Sequence, residues 1–295
     1  MAVWASRSVN GLRAGLTIRR NSQRRRIAKA LGLLVLLPGA AVMLYPLVWM
    51  VLSSFETNRQ ILQFPPQIWP HPWSLSGFVG GLTTLPFGRY FVNTAIIAFF
   101  SSVGGVFSSS LAGFAFAKFR VRGKNILFLL VLSGLMVPYA VVMIPQYLLF
   151  STLGWVDTFL PLIVPSWLGL PFLVFLFRQF FAGIPDEVFD AAKVDGCGHF
   201  RLYWNIALPL ATPAVAAAFI FHVQASWNEF LPPLIYLNSH SNYTLALGLA
   251  SFRSTCNCTP WNQLMAASLV TALVPIVFFF LAQRYILRGI AFTSR

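Results

Sequence analysis

The chain has 295 residues, 57% of them apolar and only 9% charged, with 21 Lys+Arg against 7 Asp+Glu and a formal net charge of +14. Soluble domains sit nearer a quarter charged, and a nucleic-acid binder needs a dense, solvated basic surface over a modest core. So apolar a chain with so few charges excludes both, and an integral membrane protein with no nucleic-acid partner is expected.

The tail 1–29 carries eight basic residues between Arg7 and Lys29 and no acid. It reads as a basic cytoplasmic tail that fixes topology, with binding to anionic membrane lipid or to nucleic acid as the alternative. A signal peptide has an apolar core of roughly 7–15 residues, whereas here the uncharged run extends from Ala30 to Phe55, so a retained first span is expected. Further uncharged runs follow: Tyr90 to Ala117, Asn125 to Val156, Thr158 to Phe177, Leu202 to Asn228 and Ser254 to Gln283. At 1.5 Å per helical residue, about 20 apolar residues cross a hydrocarbon core. Each run therefore holds one span, placed at 30–54, 90–116, 126–148, 159–181, 209–231 and 263–283 within a transmembrane domain 30–289. The run Phe230 to Phe252 is long enough, but Pro232-Pro233 and Asn238-Ser239-His240-Ser241-Asn242 would leave polar groups unsatisfied in lipid. It reads as an external loop with short helical pieces. The expected fold is all-α and polytopic, with six transmembrane helices.

Within the spans, Gly104, Gly105 and the serines 101, 102 and 108–110 make the second a small-residue helix suited to close packing. Pro138 and Pro145 are expected to kink the third. Alternate loops carry 18 basic residues on one side and 3 on the other. Basic loops stay inside, so both termini and the loops around 118–124 and 178–201 are expected in the cytoplasm.

The loop 184–208 departs from this pattern because it holds four of the seven acids. Pro185 followed by Asp186 and Glu187 is a helix start, with Pro at the first helical position and acids at the positive end of the dipole. Gly196 and Gly198 are expected to end that helix. Phe200, Tyr203, Trp204 and Ala207 then recur at helical spacing up to Pro209. The reading is a short helix–turn–helix lever, with Ala191 and Ala192 forming a small face that a partner can approach; a plain solvated loop is the alternative.

The run Asp190-Ala191-Ala192-x-x-Asp195-Gly196, followed by Ile206-x-Leu208-Pro209, resembles the EAA loop of ABC importer permeases. Asp190 stands where Glu is commonest there, and Cys197 where Ala is. Tyr90 to Thr94, Leu111 to Phe119, Met136-Val137-Pro138, Ile144-Pro145, Trp227 to Leu231 and Gln283 to Gly289 are similar to the maltose-type carbohydrate permeases. The usual tail is replaced by Ile290 to Arg295. The resemblance implies a permease subunit in the cytoplasmic membrane of a prokaryote, importing a sugar or oligosaccharide. Implied partners are a second permease, two ATPase subunits and an extracytoplasmic sugar-binding protein. Asp190, Ala191, Ala192, Asp195, Gly196, Ile206, Leu208 and Pro209 would couple to the ATPases. A non-sugar solute, such as a glycerol-phosphate diester or polyol, is an alternative cargo; a non-transport assembly role is another.

The chain carries no G-x-x-x-x-G-K-[ST] phosphate loop, so no cofactor is expected on it, and ATP and Mg belong to the partner ATPases. It is not expected to be an enzyme. Polar residues in spans are functional candidates, here Asn93, Gln146, His222, Gln224, Trp227, Asn228 and Glu229. His222, Ser226 and Glu229 fall on one helical face. Amides and an aromatic face suit a sugar; interhelical hydrogen bonding, at about 0.6 kcal/mol each, is the plainer role. No metal site is expected from Cys197, Cys256 and Cys258. Cys197 is read as cytoplasmic and reduced, and the other two as free thiols or a local disulfide.

Overall fold

A computed structural model describes residues 29, 32–252 and 259–291. Arg7 to Arg26 of the basic tail, Arg253, Cys256, Cys258 and residues 292–295 lie outside the described residues. Among the described residues there are helices and connecting loops and no strand. The first half runs α1 (Gly32–Ser54), α2 (Asn58–Ile61), α3 (Ser76–Thr83), α4 (Phe87–Lys118), α5 (Lys124–Ser133), α6 (Tyr139–Thr152), α7 (Leu160–Ile163) and α8 (Pro171–Ala182). The second runs α9 (Asp186–Val194), α10 (His199–Leu202), α11 (Leu208–Leu210), α12 (Thr212–Trp227), α13 (Leu231–Tyr236), α14 (Leu245–Ser251) and α15 (Trp261–Ala291).

Four stretches are long and apolar enough to cross a bilayer as they stand: α1, α4, Leu160–Ala182 and Trp261–Phe280. Two bent pairs bring the number to six if each is one span. The pair Lys124–Met136 and Tyr139–Thr152 turns by 97°. Val137 is extended ahead of Pro138 (ψ 113°), because a proline ring disfavours the helical region for the residue before it. Pro145, expected to kink the same span, instead lies inside the continuous α6. The pair His199–Leu210 and Thr212–Trp227 turns by 78°. Pro213 has no N–H for the carbonyl of Pro209, and the Thr212 hydroxyl donates to that carbonyl instead, at 2.6 Å.

α4 is the centre of the bundle, packing most extensively on α8 and α12. Its small residues allow this. At Gly113 a Cβ would lie 2.6 Å from the Phe177 Cβ and 2.9 Å from the Arg178 backbone nitrogen, so only glycine admits α8 this closely. Its serines supply the polar seam: Ser101 to Ser226 (3.3 Å), Ser102 to His222 Nδ1 (3.0 Å), Ser109 accepting from the Leu170 N–H (2.9 Å) and Ser110 to the Tyr203 hydroxyl (2.7 Å). The Ser109 bond satisfies a donor freed where a 3-10 stretch, Val164–Leu168, interrupts the path from α7 to α8.

The 230–252 loop forms the expected short helices, α13 and α14. α1 is exposed along its apolar length, the signature of a helix whose neighbours are lipid or another chain.

Candidate functional site

α9 begins at Asp186, with Pro185 at the cap (φ −55°, ψ 138°) rather than at the first helical position. Its end is a Schellman motif: Cys197 N–H donates to Ala192 O and Gly196 N–H to Lys193 O, both at 3.0 Å. Gly196 holds φ +80°, which glycine adopts without steric cost. Gly198 is extended (φ −69°, ψ 162°) and caps the start of α10 instead of ending α9.

Ala191 and Ala192 do not share a face. Adjacent helical residues are about 100° apart, and Ala192 packs inward beside Phe189 while Ala191 is exposed with Asp190, Asp195 and Gly196. After α10 the helix widens to a π turn at Tyr203–Ala207. Pro209 explains it, since its ring would meet the carbonyl four residues back and it has no N–H to offer. Ile206 and Leu208 pack at the rim of the core cluster, and Pro209 is exposed.

The lever is seated in an aromatic socket. Phe114 of α4 meets Phe119, Phe181, Phe189 and Tyr203 with ring centroids 5.5 to 5.9 Å apart, separations at which aromatic pairs are favourable. Lys118, at the end of α4, donates to Ile184 O and to Asp186 Oδ1, each at 2.6 Å. The Lys118 ammonium holds the Asp186 carboxyl below the usual carboxylate range. On the opposite surface Phe200 and Trp204 stack at 6.2 Å and are exposed. In the sequence Phe114 and Lys118 fall within the Leu111 to Phe119 run that resembles the carbohydrate permeases, but nothing there indicates that they seat the 184–208 loop.

The polar span residues are dispersed. His222 and Ser226 face α4 through Ser102 and Ser101, but α12 ends at Trp227, so Glu229 lies past the helix, exposed. Gln224 and Asn228 are exposed, with the Asn228 amide donating to Gln224 O at 2.7 Å. Trp227 is buried in the cluster with Tyr90 and Leu245. Gln146 is half-buried on α6. Asn93 is buried, and its amide donates to Ser241 O (2.9 Å) and Tyr243 O (3.0 Å), which commits it to holding the 230–252 loop.

Asp157 ties the same loop from a second direction. Its φ is +63°, and its carboxylate accepts from the backbone of Asn238 and Ser239 at 2.9 Å and from the Ser239 hydroxyl. These bonds, the Ser239 hydroxyl first, lower its pKa to about 2. Among the described residues no His, Cys, Asp or Glu group is arranged to hold a metal ion.

Residues 104–292 match the family model of the binding-protein-dependent transport system inner membrane component. The chain is 33% identical to an sn-glycerol-3-phosphate transport system permease protein of Yersinia pestis, covering 87% of this chain and 94% of that one. It is also 33% identical to an arabinooligosaccharides transport system permease protein of Halalkalibacterium halodurans, covering 85% and 90%. Its fold matches a chain of a bacterial ABC transporter that imports the acidic polysaccharide alginate, with TM-score 0.78, 21% identity, and 88% and 96% of the two chains covered. The family match over residues 104–292, relatives 33% identical over most of both chains, and the several apolar helices make this a multi-pass inner membrane component of the binding-protein-dependent transport family.

Proposed function

We propose that the chain is the permease subunit of an importer for a sugar or oligosaccharide, driven by separate ATPase subunits that bind ATP and Mg. The observation that carries the coupling half of this reading is the two-sided lever at 184–208. One side, with Asp190, Ala191, Asp195, Gly196, Phe200 and Trp204, is exposed for docking. The other, with Phe189, Ala192, Leu202, Tyr203 and Ala207, is buried against α4 and α8. A partner moving the exposed side must move the buried side with it, because packed cores shift between discrete arrangements rather than deform smoothly. The lever end then faces the cytoplasm, as the loop charges imply, and the 230–252 loop faces the binding protein. A second permease covers the faces that α1 and its neighbours leave exposed.

Gln224, Asn228 and Glu229 at the end of α12 are the residues of this chain best placed to meet the solute, since their side chains are exposed. His222 and Asn93 act through the helices and loop they hold. An oligosaccharide fits better than a glycerol phosphate, because no Lys or Arg lies between Tyr90 and Ala117 or between Leu202 and Asn228 to offset a phosphate charge. The relative from Yersinia pestis favours the phosphate ester. A thermal-shift screen of the cognate binding protein with arabinotriose and sn-glycerol 3-phosphate separates them. Stabilisation by a saccharide is expected, and stabilisation by the phosphate ester alone overturns the sugar assignment.

A further inference from the structure

Lys118 belongs to a cluster of four basic residues, and a charge that only fixes topology needs nothing more than water. Arg120 and Arg122 of that cluster are exposed accordingly. The Lys118 side chain is 9% exposed. Its ammonium donates to the Ile184 carbonyl and to Asp186, and lies 4.8 Å from the centre of the Phe189 ring. It thus reaches the linker before α9, the first turn of α9 and the buried face of α9 from one helix end. Burying an ammonium is costly unless such partners replace water.

The other end of α4 is tied just as specifically. Asn93 holds the carbonyls of Ser241 and Tyr243, and the Thr94 hydroxyl accepts from the Leu245 N–H at 2.9 Å. From Asn93 to Lys118 is about 37 Å of unbroken helix. Its neighbours are interrupted: two bent pairs turn by 97° and 78°, and α8 follows a 3-10 stretch. A bent pair absorbs displacement at its hinge, whereas a straight helix transmits it.

We propose that Lys118 is a positioning residue that latches α9 to α4, and that α4 is the strut carrying α9 displacement to the 238–245 loop. This rests on the coupling reading of 184–208. The Asp186 contact supplies direction to the latch, since it fixes the first turn of α9 rather than its exposed end.

The test uses the assembled transporter in nanodiscs, with Cys197, Cys256 and Cys258 replaced by Ser and a fluorophore on His240→Cys, an exposed loop position. The probe is Mg·ATP with vanadate. The wild type is expected to change label emission on nucleotide trapping. Lys118→Met and Asp186→Lys should both lose about tenfold of that response, within the range typical of coupled sites, while nucleotide trapping persists. Lys118→Arg should retain the response. Asp186 is largely exposed, so Asp186→Lys decides the matter even if Lys118→Met fails to assemble. A wild-type response in Asp186→Lys and Lys118→Met, with the response lost in Gly196→Val, overturns the latch and leaves the coupling reading intact. A response that survives Gly196→Val as well overturns both.

Discussion

Gly196 combines φ +80° with open space where a Cβ would point. A branched side chain there meets no neighbour, so its cost is conformational, about 1–2 kcal/mol. Gly196→Val is therefore expected to fold and to loosen the end of α9. Amide exchange at position 196 and at Cys197 should quicken about tenfold, the equivalent of roughly 1.4 kcal/mol. Gly196→Asn, which tolerates the left-handed region, should show much less. Asp157 makes a different kind of prediction. Its folded-state pKa of about 2 lies below the ordinary 3.8. The loop knot thus contributes stability that is fully present above the ordinary value and is lost as pH falls through about 2. Amide exchange of Asn238 and Ser239 should not vary between pH 5 and 8 beyond the intrinsic rate, and Asp157→Asn should raise it at neutral pH. No change in that variant would remove Asp157 from the knot.

At the scale of the helices, close approach governs. Gly113→Val places branched atoms against Phe177 and the backbone of Arg178, and overpacking of this kind costs typically about 1–3 kcal/mol. The purified complex should melt at a lower temperature, whereas Gly88→Val, with nothing within 4 Å of its Cβ position, should change it little. The positions of the helices were legible because charges are excluded from lipid and the uncharged runs are long. Their interruptions were less so. Pro138 marked a bend but not one of 97°, and the 3-10 stretch before α8 depends on Ser109 accepting from Leu170, a partner distant in sequence. The lever was legible from Asp190 to Pro209 because its spacing is local. Its orientation was not: Ala191 and Ala192 look equivalent in sequence until Phe114 and Phe177 decide which of them is buried.

For the whole molecule, alternate loops hold 18 and 3 of the 21 basic residues, and the proposed orientation puts the lever with its four acids on the cytoplasmic side and Asp157 on the other. With Cys256 and Cys258 replaced by Ser, an impermeant maleimide should label His240→Cys in intact cells and Cys197 only after permeabilisation. Labelling of Cys197 from outside would reverse the orientation. Coupling of ATP hydrolysis to transport through the 184–208 lever is read out by the ratio of solute taken up to ATP hydrolysed in proteoliposomes, using the solute that stabilises the binding protein. Gly196→Val should hydrolyse ATP while that ratio falls about tenfold, as expected when coupled sites are disconnected. A ratio equal to that of the wild type would show that the lever does not couple the two.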